Sequence, residues 1–311
     1  MTPNVMAASD RQCLLLDRTR PVLVRPSGDV QIGWNPESTL LITPPESCTA
    51  EVLARLLRSL DGSRTIDEVV RHGERDGITK TALMALLSQL RDAGALTAVV
   101  SPTVRKPPDV ALAGQGPIAD VLLRALPELG VIVTQFTTPN QQRTQQRVAR
   151  LRPLLVLITD TSLASPVFSD FLTRERLPSL AVRIRDGRGL VGPLVLPGLT
   201  SCLRCADLYR TDRDPEWPHL AAQLAGSVPH APPAAVYAAA AYTLSQIHTI
   251  LAATRQSREG AVPPHSPKPP QTLGTTVEFD ASDFSIVPRE WPRHPLCACW
   301  GQAPDSSQPA A

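Results

Sequence analysis

Between Thr49 and Gly62 the apolar side chains fall at Val52, Leu53, Leu56, Leu57 and Leu60, a spacing that lays one stripe along a helix ending at the glycine. A second helix is predicted over "TIDEVVRHGERDG", where Thr65 stands three residues before Glu68 as a capping box. A third, "TKTALMALLSQLRDAGAL", carries Leu83, Leu86, Leu87 and Leu90 on one face and stops near Gly94. Ahead of them the pattern changes to short β-branched runs at 21–25, 29–33 and 39–43, separated by Ser27-Gly28 and Asn35-Pro36 turns: a small antiparallel sheet. With a last strand over 96–100, residues 1–100 have the outline of a winged helix of three strands and three helices.

Residues 101–108, within the proline-rich and charged "SPTVRKPPD", are a linker, and from 109 the pattern becomes an alternation of strands and helices. "VALAGQGPIADVLLRAL" predicts strand, glycine turn and helix; "GVIVTQF" and "PLLVLITD" predict two further buried strands. A helix, a strand at 179–185, a turn at Asp186-Gly187 and a strand at 190–196 follow. The alanine-rich run 231–254 is interrupted by Pro232, Pro233, Ser245, Gln246 and His248, so it predicts a buried helix rather than a membrane span. "PPHSPKPP" is a loop, "TTVEFDASDFSIVP" a hairpin turning at 281–283, and 302–311 a disordered tail.

Length and charge narrow the classes. The 311 residues suffice for two domains, and a formal charge of +2 gives no field to draw the chain to nucleic acid or a membrane. The third helix offers only Lys80 and Arg91 as cations, too few to meet a run of phosphates. An exposed strand edge beside an apolar helix can instead accept an extended peptide. The start of the sequence has no signal-peptide pattern, so a cytoplasmic location is expected, and in a reducing compartment the six cysteines are metal ligands or buried thiols.

Two patterns bear chemistry. Gly114, Gly116 and Ala119 fit the G-x-G-x-x-[GA] turn that lets a backbone approach a phosphate, although tight strand-to-helix packing selects the same small residues. Where a ribose-binding carboxylate would follow the second strand, the chain has Gln135. Asp160 closes the third strand at the sheet's carboxyl edge, either as a magnesium- or phosphate-proximal carboxylate or, with Thr161 and Ser162, as a cap for the following helix. Cys202-x-x-Cys205 and, 92 residues after Cys205, Cys297-x-Cys299 can together supply a four-thiolate zinc site that clips the C-terminal segment to the domain. His294 is an alternative fourth ligand, whereas Cys13 and Cys48 are small apolar side chains. Between the pairs, "ADLYRTDRDPEW" alternates in sign and is either a self-paired helix end or a docking surface.

In this order, the glycine turn, "LVLITD", "RLPSLAVRIRDGRGLVGPLV", the CxxC, the alanine-rich helix and the terminal cysteine pair resemble the ThiF/MoeB superfamily of ubiquitin-activating-like adenylyltransferases over residues 109–301. The resemblance implies a Rossmann-like domain with structural zinc, a family that often dimerises, and a magnesium-binding aspartate at Asp160, 18 residues before Pro178. It also marks departures. Adenylating members use a lysine against the phosphates, and none lies between Lys106 and Lys268; the family's ribose aspartate matches Gln135; of its arginine finger only Arg143 or Arg147 could be a remnant; and no cysteine lies between Cys205 and Cys297 to form a thioester. Binding of ATP and magnesium is therefore not expected to lead to turnover.

With the small N-terminal domain, and with "CLRCADLYRTDRDPEWP" and "HPLCACWG", the chain most resembles the leader-binding proteins of thiazole/oxazole-modified peptide pathways, of the bacteriocin-biosynthesis cyclodehydratase type. That resemblance implies a non-catalytic accessory protein. Its first domain would be a recognition element holding the leader of a ribosomal precursor peptide between Leu40, Leu41 and Ile42 and the helix face of Leu83, Leu87 and Leu90, and its second would dock a YcaO-type ATP-dependent cyclodehydratase. Two other readings stand beside it: a divergent adenylyltransferase acting on a C-terminal carboxylate through Gly114, Gly116 and Asp160, and a metal-dependent DNA-binding regulator.

Overall fold

The structure, a computed structural model, describes residues 12–100, 106–259 and 269–301. The sequence-predicted tail at 302–311 and most of the linker and of "PPHSPKPP" lie outside these residues. The chain divides between Lys106 and Pro107 into two units.

The first unit contains β1 (Gln12–Leu16), β2 (Val22–Val24), β3 (Val30–Ile32), β4 (Leu40–Ile42), α1 (Ala50–Arg58), β5 (Asp61–Thr65), α2 (Ile66–Arg75), α3 (Lys80–Asp92) and β6 (Leu96–Val100). The three expected strands form one antiparallel sheet, β2-β3-β4, with Val30 opposite Ile42 and Ile32 opposite Leu40. A second three-stranded sheet, β5-β1-β6, is additional to the one expected and takes in the predicted strand 96–100 as β6. β5 is polar, "DGSRT", and owes its extension to pairing with β1 rather than to its own pattern. The first helix consequently ends at Arg58, four residues before the expected Gly62. Leu60 sits beyond it, still buried, and its carbonyl accepts the Leu16 N–H at 2.8 Å.

Local signals fix the helix starts. Thr49, Thr65 and Thr79 each accept an N–H of the first turn, and Thr65 and Glu68 form the expected capping box. Glycine inside a helix costs about 1 kcal/mol relative to alanine. Gly73 in α2 has a reason to be there, since a Cβ at this position would lie 2.7 Å from Leu83 Cδ2. Gly73→Val is expected to lower unfolding stability by about 2 kcal/mol through overpacking, as a urea titration would measure.

The second unit contains β7 (Asp109–Ala113), α4 (Pro117–Ala125), β8 (Ile132–Phe136), α5 (Gln142–Leu151), β9 (Leu155–Thr159), α6 (Pro166–Arg174), β10 (Ser179–Arg185), β11 (Arg188–Val195), α7 (Leu203–Arg213), α8 (Trp217–Leu224), α9 (Pro233–Glu259), β12 (Thr275–Asp280) and β13 (Ser285–Glu290). Its strands form one sheet in the order β13-β12-β11-β10-β9-β7-β8. The four strands from β10 to β8 are parallel, and the rest run antiparallel.

Period-two alternation sends the residues of one strand to two cores. Val110, Leu112, Leu155, Leu157, Leu180 and Val182 pack with α4 and α9, whereas Ala111, Ala113, Val156, Ile158 and Ala181 pack with α5, α6 and the first turn of α7. This mixed, doubly covered sheet is consistent with the Rossmann-like expectation. α9 is the alanine-rich helix; Ala235, Ala239, Ala240 and Ile247 bury it against the sheet. Among the described residues, no helix is long and apolar enough to cross a membrane.

Candidate functional site

The glycine turn joins β7 to α4, where sequence analysis expects a phosphate. Gly114 and Gly116 have φ of +148° and +145°, in the region that favours glycine. A Cβ on Gly114 would collide with the Thr159 carbonyl, and one on Gly116 would lie 2.8 Å from the Asp160 carboxyl carbon. The glycines are thus required by the close approach of the end of β9.

Asp160 explains that approach. It is 7% exposed and adopts a left-handed φ of +52°, which aspartate tolerates better than most residues. Its Oδ1 accepts the Ile118 N–H at 3.0 Å and its Oδ2 accepts the Ala119 N–H at 2.8 Å. The first helical residue, Pro117, has no N–H to offer, and the Asp120 N–H bonds to the Gly116 carbonyl. The amide donors of the α4 start, the groups that would cradle a phosphate, are therefore filled by the protein's own carboxylate. Of the two expectations for Asp160, the cap of the following helix is corrected: the carboxylate caps α4, 42 positions away from Ile118. Thr161 and Ser162 do not cap that helix either, since Thr161 Oγ1 donates to Leu163 O and Ser162 Oγ shares a hydrogen bond with Ser227.

Gln135 turns toward the same turn and donates from Nε2 to the Gly114 carbonyl at 3.0 Å. Arg147 lies over the Phe136 ring, 5.3 Å from its centroid.

The cysteines form the second constellation. Cys202 immediately precedes α7 and Cys205 lies in its first turn, while Cys297 and Cys299 arrive from the chain after β13. All four are buried, and their sulfurs lie within 4.8 Å of one another: 3.8 Å for Cys202–Cys205 and 3.5 Å for both Cys202–Cys297 and Cys205–Cys299. Four thiolates around one ion at a metal–sulfur distance of about 2.3 Å would be about 3.8 Å apart, so the cluster fits a tetrahedral metal. Without a cation the sulfurs cannot all ionise. The hydrogen bond from Cys202 holds Cys205 down to about 4, which leaves Cys202 raised, and burial pushes Cys299 up to about 12.

His294 is not in the cluster. Its Nδ1 accepts the Leu296 N–H, its Nε2 meets Asp212 Oδ2 at 2.8 Å, and its ring packs edge-on against Tyr209. In the charged stretch Arg210 pairs with Asp207 at 2.6 Å and stacks over Trp217, while Asp212 and Tyr209 reach out of it, to His294 and the Arg293 carbonyl.

In the first unit, Leu83, Leu87 and Leu90 are buried in the core at 1%, 6% and 2% exposure. They form the floor under the surface, not the surface. Leu40 and Ile42 are half-buried against the same core, and Leu41 is exposed. β4 is an edge strand, with β3 on one side and no strand on the other among the described residues. Met84, on α3, is the exposed apolar side chain that the helix-stripe reading omitted, because it lies off the Leu83–Leu87–Leu90 stripe.

No family model matches the sequence, and no curated protein matches it. Solved structures do match in fold. The heterocyclase TruD is 18% identical, with a TM-score of 0.61 over 93% of this chain and 42% of that one. A heterocyclase in complex with substrate and cofactor gives 15% identity and 0.61, over 91% of this chain and 38% of that one. MccB of E. coli, with AMPCPP and MccA, gives 10% identity and 0.51, over 93% of this chain and 99% of that one. The chain spans about two-fifths of the length of the heterocyclase chains and nearly the whole of MccB, and at these identities the likeness establishes a common fold.

Proposed function

We propose that the chain is a non-catalytic accessory protein that binds the leader of a ribosomal precursor peptide with its first unit, a winged-helix recognition element. It presents the peptide to a YcaO-type ATP-dependent cyclodehydratase for azoline formation. The observation that carries the reading is the Asp160 carboxylate seated on the amides of the glycine turn. A nucleotide phosphate would have to displace a buried charge already satisfied by two hydrogen bonds, with no lysine between Lys106 and Lys268 to assist. Support also comes from the common fold with a heterocyclase and with MccB, which has been seen with MccA.

On this reading the leader adds a strand to β4, main-chain hydrogen bonds supplying affinity and the exposed Leu41 supplying apolar contact. The four cysteines hold a structural zinc that fastens the C-terminal segment to α7, and the protein works in the cytoplasm, with dimerisation open to it as in the resembled family. The experiment is a titration of a fluorescently labelled precursor peptide into the full chain. Leu41→Asp, at a site 56% exposed, is expected to weaken binding at least about tenfold with the fold intact by circular dichroism. Unchanged affinity in that variant removes β4 from the reading.

The second reading, a divergent adenylyltransferase, is favoured by the coverage of MccB in complex with AMPCPP, 99% of that chain. It requires ATP–pyrophosphate exchange by the isolated protein.

A further inference from the structure

α9 carries more apolar surface than the sheet beneath it uses. Ala235, Ala239, Ala240 and Ile247 bury one side of it against the sheet. The opposite side shows Ala234, Tyr237, Ala241, Ser245 and His248 to solvent, spaced by three or four residues as one continuous stripe. Tyr237 is 61% exposed. Residues 217–254 contain no Asp, Glu, Lys or Arg in a chain that is 19% charged, so the stripe lacks the charges that mark a solvated helix face. A helix without a charged side is the kind that is covered all round.

A second bare surface lies beside it in the sheet. α9 packs over β10, β11 and β12, and a helix about 10 Å wide covers two or three strands spaced about 4.8 Å apart. β13 lies beyond them, and all its residues are exposed. Phe279 is opposite Gly189, where a Cβ would meet the Ala235 carbonyl and Ala239 of α9, and Ile286 is opposite Phe279, so both side chains stand on the α9 side of the sheet. Phe284 packs edge-on against Phe279, with ring centroids 6.2 Å apart. Phe284 and Ile286 are 77% and 56% exposed. Glu278, Asp280 and Arg289 alternate to the other face, which leaves Glu290, at the far end of β13, as the charged residue of these two strands on this one.

We propose that the chain forms a twofold dimer in which the uncharged stripe of α9 in each copy packs over the β12–β13 flank of the other. Each surface supplies what the other lacks, since the flank is short of a helix and the helix is short of a face to cover. Symmetry accounts for the missing charges: a side chain near a twofold axis meets its own copy, so a charge there would be repelled, whereas a surface for a different protein uses complementary charge. Pro288 in the middle of β13 blunts that edge against a further strand, which favours cover by a face. The exposed parts of the stripe and the flank amount to roughly 600 to 800 Å² per copy, near the ~800 Å² per partner of a stable interface. The dimer goes beyond the function proposed above and does not depend on it, because the peptide site of that reading belongs to the first unit and both surfaces belong to the second.

Sedimentation equilibrium of the full chain, with no peptide or nucleotide added, is expected to give twice 33.5 kDa at micromolar concentration. Ala241→Glu in the stripe and Ile286→Lys in the flank, both at exposed positions, are each expected to raise the dissociation constant at least about thirtyfold. Circular dichroism reports whether each variant folds. Should either fail to fold, hydroxyl-radical footprinting of the unaltered protein provides the second measurement, with Tyr237 and Phe284 expected to be oxidised more slowly as concentration rises through the dissociation constant. A chain that stays monomeric throughout the micromolar range, a dimer indifferent to either substitution, or oxidation of the two rings that does not change with concentration overturns the proposal.

Discussion

Purified from zinc-replete cells, the protein is expected to carry one zinc ion per chain, and stripping it with a chelator to release the C-terminal segment before the sheet melts. The four sulfurs lie 3.5 to 3.8 Å apart in the measured pairs, near the edge length of a zinc–thiolate tetrahedron, and they come from two places separated by 92 positions. A metal at this point ties the chain after β13 to the start of α7. Hydrogen bonds already tie that segment to the domain, among them Tyr209 to the Arg293 carbonyl, Arg293 to the Gly198 carbonyl, and His294 to Asp212. Losing the ion would expose four buried thiols, of which burial already holds Cys299 up to about 12.

Cys205→Ser is therefore expected to reduce zinc content to a small fraction and to cost more than about 4 kcal/mol of stability, in the range reserved for loss of a metal site. Metal analysis and limited proteolysis near 291–301 read the two effects. If the purified protein is metal-free and chelation leaves its melting temperature unchanged, the cysteines are only a buried thiol cluster.

The cysteine cluster was legible in the sequence because two close pairs at ligand spacing can together complete one tetrahedral site. The strands and helices of the second unit were legible for a different reason: Val110 to Ala113 and Leu155 to Ile158 are apolar without interruption, as a strand covered on both faces must be. What sequence could not give was pairing. β5 has no strand pattern and extends only because β1 lies beside it. Leu83, Leu87 and Leu90 carry the periodicity of a helix face, but periodicity marks the buried face, and the exposed apolar side chain of α3 is Met84, off the stripe. The sequence places Asp160 at the end of a strand, yet its partners lie 41 and 42 positions earlier, and only the fold brings them together.

Replacing Asp160 by alanine is expected to lower stability by about 3 kcal/mol and, at the same time, to open an anion site. Two buried amides, of Ile118 and Ala119, would lose charge-assisted hydrogen bonds, each worth about 1.5 to 3 kcal/mol. Part of the loss in Asp160→Ala would come from the left-handed backbone at φ +52°, so Asp160→Asn is the control. Asparagine tolerates that conformation but brings one acceptor oxygen where the carboxylate brings two. About half the loss is expected to remain. The freed amides at the start of α4 should then bind sulfate or phosphate, so either anion raises the melting temperature of the alanine variant more than that of the unaltered protein. ATP–pyrophosphate exchange measured on the same pair separates the two functional readings. An accessory protein gives none in either form, because opening the amides supplies neither the missing lysine nor a metal ligand. Clear exchange by the unaltered protein that vanishes in Asp160→Ala would make Asp160 a catalytic residue, and the carboxylate seated on the glycine turn would be a resting state that ATP displaces.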